Sequence, residues 1–169
     1  MSLQESLGKP FRKAGAKKIL IIALLTLAAV GFGDSTYLAS RHYSGIPINC
    51  SILEGCEQVT TSQYATVFGV PLALIGAIYY FGLFILLLTY LETEKRELFW
   101  LILAGTTGAL LSSIALVYIQ VAVIGALCFY CLISAASSTL LFAGSLVLLK
   151  LNKGKVAGKE TLFLLINVE

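Results

Sequence analysis

Four apolar runs, each long enough to cross a lipid bilayer as a helix, constrain this chain more than any other feature of its sequence. One helical crossing takes about 20 residues. The first run extends from Ile19 to about Leu38, and its only charged residue is Asp34. The second, Phe68–Leu91, carries no charge. The third extends from Leu98 to about Ile124, and the fourth from about Ala126 to Leu149. Almost nothing separates the last two, so they read as a tight helical hairpin turning near Gly125. None of the runs shows the alternation of a barrel strand. A soluble domain of 169 residues that is 58% hydrophobic and 12% charged would leave too much apolar surface in water. The fold class is therefore an all-α membrane protein, a four-helix bundle spanning the bilayer. The first run follows basic residues, as a signal peptide's core does. It is longer than such a core and lacks a clear small-x-small cleavage site, so it reads as a retained span.

Basic residues set the expected orientation. Lys9, Arg12, Lys13, Lys17 and Lys18 precede the first span, and Lys95 and Arg96 join the second to the third. Lys150, Lys153, Lys155 and Lys159 follow the fourth. Eleven of the twelve basic residues thus fall on one side, with Arg41 the exception. Three segments follow: a cytoplasmic tail over 1–18, a membrane domain over 19–149 and a cytoplasmic tail over 150–169. The loop over 39–67 is expected outside, and Glu57 to Ala65 is expected to form a short helix lying over the bundle. The expected location is the inner (cytoplasmic) membrane, with both termini inside.

The net charge of +3 is accounted for by this topology. No basic patch is interleaved with aromatics, so nucleic acid is not an expected partner. No phosphate-binding loop, dinucleotide fingerprint or metal-protease motif is present.

The chemistry rests on four cysteines, all mapping to the outer side: Cys50 and Cys56 in the long loop, Cys128 and Cys131 opening the fourth span. Disulfides persist in that compartment. For the loop pair a structural staple and a redox role stand side by side. The C-x-x-C pair is harder to read as a staple, because a bridge across three residues of a helix closes too short a loop to stabilise much. The spacing suits reversible exchange, in which one thiol is attacked and the other resolves. Cys128 falls near the first turn, where free amide N–H groups favour a thiolate. Cys131 lies about 4.5 Å deeper on the same face. The shallower sulfur meets the aqueous loop, and the deeper one meets what is dissolved in the membrane. A four-cysteine zinc site has little rationale at the head of an apolar helix, and no metal is expected.

These elements, in this order, resemble the vitamin K epoxide reductase family, in particular its prokaryotic members. The first span ends Ser35-Thr36-Tyr37-Leu38. The loop pair is followed, six residues after Cys56, by Ser62. The second span begins Phe68-Gly69-Val70-Pro71, and the fourth begins with the C-x-x-C. The DsbB type of disulfide oxidase also resembles a four-helix protein with two outer pairs, but there the C-x-x-C comes first. Many prokaryotic members carry a fused thioredoxin-like domain. Here the chain stops soon after the fourth span, which implies a separate thioredoxin-like (DsbA-type) redox partner. The animal enzymes carry an asparagine before the second span and a tyrosine after the C-x-x-C. This chain has Ala65 and Ala135 there, which weighs against epoxide reduction.

The resemblance implies a quinone-dependent thiol:disulfide oxidoreductase. The partner reduces a Cys50–Cys56 bridge, Cys56 relays to Cys128, and Cys131 delivers electrons to a membrane quinone such as ubiquinone or menaquinone. Ser62 is expected at the quinone oxygen, and Tyr64 and Phe68 at its ring. Two alternatives remain: a vitamin K epoxide or quinone reductase that draws on thiols, and a non-enzymatic subunit stapled by disulfides. Asp34, an acid inside a span, and His42, the only histidine, read first as solvent-reaching side chains. A proton path through Asp34 is the functional reading of that residue.

Overall fold

A computed structural model describes the backbone of residues 3–46, 48 and 55–166, and the side chains of 15–46, 48 and 55–152. Cys50, most of the outer loop's first half and the side chains of both tails lie outside the described residues. Five α-helices run in order: α1 (Leu3–Ser44), α2 (Cys56–Thr60), α3 (Leu72–Thr93), α4 (Arg96–Tyr118) and α5 (Phe129–Ile166). All but α2 contain stretches long and apolar enough to cross a membrane.

The membrane helices meet along heptad-like stripes. Ile21, Leu24 and Ala28 of α1 pack with Tyr80, Leu83, Leu87 and Tyr90 of α3. Phe99 and Ile102 of α4 and Leu141 and Leu148 of α5 complete this core. Steps of three and four residues keep each set on one helix face. The opposite faces carry Ile22, Ile78, Phe81, Ile85, Leu111, Ile114 and Val147, all exposed and apolar. In water such a surface would drive association, whereas lipid tails accommodate it.

Small residues bring helices close. A Cβ on Gly31 would lie 2.5 Å from the Tyr80 ring. That ring has little freedom to yield. Its hydroxyl donates to the Ser134 carbonyl at 2.8 Å and accepts from the Ser138 hydroxyl at 2.8 Å. Gly31→Ala is therefore expected to destabilise the bundle by about 1–3 kcal/mol through overpacking, read as a lower thermal midpoint in detergent.

The two ends of the bundle differ in chemistry. At one end Lys17 bridges to Glu94 at 3.0 Å. Its ammonium lies 5.0 Å from the centre of the Tyr90 ring, whose hydroxyl accepts from Asn152 at 2.7 Å. The other end gathers Leu38, Ile48, Cys56, Val59 and Cys128 into a second buried cluster.

Several boundaries differ from the sequence expectation. The second helix begins at Leu72, not Phe68. Thr66–Val67 pairs antiparallel with Val70–Pro71 across a tight turn. Phe68 and Gly69 both take positive φ, 53° and 79°, the pattern of a two-residue hairpin. Pro71 then precedes the first helical turn, where its missing N–H costs nothing. Between the first two spans the expected helix over Glu57 to Ala65 is broken into α2 and a 3-10 turn over Gln63–Ala65. Thr60 and Thr61 hydroxyls donate to the Cys56 and Glu57 carbonyls at 2.8 and 2.7 Å, a competition with helical hydrogen bonding that ends it early.

The third span keeps α geometry only to Tyr118 and then widens into a π-helical turn over Ile119–Ile124. Gly125, at φ 69°, reverses the chain. At the far end α5 continues past Leu149 to Ile166, its alanines, lysines and leucines being good helix formers.

Candidate active site

The site is built where the chain folds back between α4 and α5. Widening the last turn of α4 directs Gln120 inward, where it is buried. Its side-chain carbonyl accepts the backbone N–H of Cys128 at 3.0 Å, and its backbone carbonyl accepts that of Ala126 at 3.1 Å. One residue thus holds both sides of the four-residue connection. Cys128 precedes α5 and caps it, its carbonyl accepting the Leu132 N–H at 3.1 Å.

The α2 segment docks on this connection. A Cβ on Gly55 would lie 2.9 Å from the Leu127 backbone nitrogen and oxygen, so only glycine permits this approach. The docking brings Cys56 against the head of α5. Its sulfur accepts the Phe129 N–H at 3.4 Å. Cys56 is 1% exposed and Cys128 0%, both inside the same cluster. Cys56 is disulfide-bonded, and its partner lies outside the described residues. Cys128 and Cys131 are free thiols.

The C-x-x-C pair is electrostatically unequal. The Cys131 thiol hydrogen-bonds to Cys128, and this contact above all holds the Cys128 thiol below its ordinary range. Burial opposes the shift, the N–H groups of Cys131 and Tyr130 reinforce it, and the charge of Asp34 opposes it. The Cys131 N–H lies 3.4 Å from the Cys128 sulfur. These are the free amides of a helix N-terminus acting on a sulfur at its cap. The lowered thiol makes Cys128 the readier nucleophile of the reduced pair.

A cavity of about 460 Å³ opens between α1, α3, α4 and α5 under the α2 segment. Small ligands occupy sites of about 300–1,000 Å³. Cys131 lines it, whereas Cys56 and Cys128 do not. Gly105, Gly108, Ala109, Ser112 and Ser113 form the α4 wall, leaving the space that larger side chains would fill. Ser62 and Tyr64 line the outer end. The Ser62 hydroxyl donates to the Val59 carbonyl at 2.7 Å and must exchange that bond to reach a ligand.

Phe68 does not line the cavity: its turn places it fully exposed. Ala65 and Ala135 do line it. Gln120 and Tyr79 also line the cavity and escaped sequence reasoning. Neither belongs to a motif, and a glutamine in an apolar span was the one available signal.

No individual curated protein matches the chain. At the family level, residues 22–146 match the Vitamin K epoxide reductase family. That match takes in all four cysteines and most of each span. The chain belongs to the Vitamin K epoxide reductase family.

Proposed function

We propose that this protein oxidises a thioredoxin-like partner outside the cytoplasm and passes the electrons to a membrane quinone. The family consists of oxidoreductases that use quinone or vitamin K. The observation that carries the finer reading is the graded placement of the sulfurs. Cys56 and Cys128 share one buried cluster, and among the described cysteines only Cys131 reaches the cavity.

The partner's thiolate attacks the Cys50–Cys56 bridge at Cys50, and resolution leaves both loop thiols reduced. Cys56 then attacks Cys128 of an oxidised Cys128–Cys131 bridge, which forms a Cys56–Cys128 bond and frees Cys131 as a thiolate. Exchange by Cys50 releases Cys128 and restores the outer bridge. Cys131 delivers the electron pair into the cavity, and the Cys128 thiolate closes the bridge again. A bound quinone supplies the two-electron acceptor. The cavity's walls are largely apolar, and Ser62 and Tyr64 supply hydroxyls at one end.

Ala65 and Ala135 favour a quinone over its epoxide. Where the resemblance places an asparagine and a tyrosine, this cavity presents methyl groups, which donate no hydrogen bond to an epoxide oxygen. Orientation follows the basic residues: the Lys17–Glu94 end faces the cytoplasm, and the cysteine end faces out.

The test combines purified protein, a reduced DsbA-type partner and a short-chain ubiquinone or menadione. The expected result is one quinol per partner disulfide and no turnover of vitamin K epoxide. Absence of quinol, or faster consumption of the epoxide, would overturn the reading.

A further inference from the structure

Cys56 is 1% exposed, in a cluster with the apolar side chains of Leu38, Ile48 and Val59. No lysine or arginine occurs between Arg41 and Lys95, and the residue after Cys56 is the anionic Glu57. A thiolate in apolar surroundings, with no cation on its own segment, is costly to form. The cycle proposed above nevertheless has Cys56 depart as a thiolate when the outer bridge is opened at Cys50.

The head of α5 supplies what that departure needs. Phe129 is the first residue of the helix, so its N–H has no acceptor within the helix. That N–H donates to the Cys56 sulfur at 3.4 Å. Two residues on, the Cys131 N–H donates to the Cys128 sulfur at 3.4 Å. The N–H of Cys128 itself, just before the helix, is taken by the Gln120 side chain at 3.0 Å. Residues 125–128 read Gly-Ala-Leu-Cys, so the connection offers no side-chain oxygen of the usual capping kind. Two sulfurs occupy the place of that oxygen, one from α2 and one from the connection, and each has its own amide. Both lie at the positive end of the helix dipole. The close fit of Gly55 on Leu127 holds α2 in reach of these amides.

We propose that the Phe129 backbone amide directs the opening of the outer bridge, holding the Cys56 sulfur as the departing group so that an incoming thiolate attacks at Cys50. The proposal rests on the reading that a partner's thiol opens that bridge. The step balances. The partner's sulfur forms a bond to Cys50, the Cys50–Cys56 bond breaks, and its electron pair leaves on Cys56. The partner's sulfur is oxidised, Cys56 is reduced, and no proton moves. A leaving sulfur whose anion is stabilised leaves faster, and a hydrogen bond to an anion is among the stronger ones. The new thiolate forms inside the cluster that holds Cys128, its next target. Attack from outside at Cys56 would have to reach a sulfur that is 1% exposed.

Two measurements test this. The first uses unaltered protein and no partner. Cys128–Phe129 is the only Cys–Phe step in the chain, so carbonyl-labelled cysteine with nitrogen-labelled phenylalanine singles out the Phe129 amide in a magnetic resonance spectrum. The protein is equilibrated in mixtures of reduced and oxidised glutathione, and alkylation with mass spectrometry reads how far each cysteine pair is open. The expected result is a Phe129 amide proton that moves to lower field in step with the opening of the Cys50–Cys56 bridge. A signal that stays in place, or follows the C-x-x-C pair alone, would overturn the proposal.

The second removes the donor. Phenyllactic acid introduced at position 129 turns the Cys128–Phe129 peptide bond into an ester and keeps the side chain. A DsbA-type partner with its second active-site cysteine replaced by serine then traps the mixed disulfide. Cleavage at Glu54, between the two loop cysteines, identifies the sulfur attacked. Wild type should link at Cys50. The ester should slow linkage roughly fivefold, within the scale of one hydrogen bond to a charged group. It should also disfavour the open outer pair in glutathione by about the same factor, or about 20 mV. Phe129→Ala keeps the amide and should stay within about twofold of wild type. Linkage at Cys56 in wild type, or an ester protein with wild-type rate and potential, would overturn the proposal. If the ester protein does not fold, the resonance titration decides. If the partner does not react with wild type, the partner reading fails, and the same titration still decides whether the amide holds Cys56.

Discussion

Replacing Cys131 with alanine is expected to abolish quinol formation, a loss of about 1,000-fold or more, because the group that touches the electron acceptor is removed and no other sulfur among the described residues lines the cavity. The substitution should barely affect the fold. Cys131 is only partly buried and is a free thiol, so neither a cross-link nor a tightly packed core residue is lost. A thermal midpoint shift equivalent to less than about 1 kcal/mol is expected. A disulfide-stapled subunit with no catalytic role would show the reverse pattern, with altered stability and no turnover to lose. Oxidation of the partner should also cease after the outer bridge has been consumed once, since the inner pair can no longer pass electrons on. Stopped turnover with an intact fold is therefore the signature that separates an electron path from a staple.

The second large effect is predicted at a residue that carries no chemistry. Gly55→Ala places a methyl group 2.9 Å from backbone atoms of Leu127. The φ of Gly55 is −88°, which any residue adopts, so the conflict is purely steric. The atoms it meets are the Leu127 backbone nitrogen and oxygen and the Ala126 Cβ, none of which can rotate away. Either the α2 segment lifts or the connection bearing Cys128 shifts. Both separate Cys56 from Cys128, and a displacement of about 1 Å between reacting groups costs on the order of 100-fold. The defect should be confined to the transfer between pairs. Quinol formation driven by the partner protein should fall by roughly that factor. Quinol formation driven by a small dithiol that reaches the inner pair directly should stay within about threefold of wild type. Equal losses with both electron donors would mean that the substitution disturbs the cavity instead.

The bundle was legible in the sequence because its driving feature is local and repetitive. Runs such as Ile19–Leu38 announce a span by length alone, and the stripe of Ile21, Leu24 and Ala28 follows helical spacing. The C-x-x-C was legible for the same reason, its position at the head of a helix being set by the turn at Gly125.

What escaped depends on contacts between distant segments or on backbone detail. Phe68 looked like the start of a helix because it is apolar and adjoins an apolar run. Its hairpin turn depends on Gly69 and Pro71 acting together, and it carries the ring away from the cavity. Gln120 gave no periodic signal, since its role arises from a π-helical turn that breaks the period. The Cys56–Cys128 cluster likewise joins residues far apart in the chain, through a glycine whose importance lies in what it allows to approach.

The most direct measurement traps the relay itself. In a Cys131→Ser protein whose outer bridge is oxidised, the Cys128 thiolate attacks that bridge at Cys56 and frees Cys50, and with no Cys131 thiol to resolve it the mixed disulfide should accumulate. Alkylation, digestion without reductant and mass spectrometry then identify the linked peptides. The account predicts a bond between Cys56 and Cys128. A bond from Cys50 to Cys128, or no bond between the pairs while the outer bridge is oxidised, would contradict it.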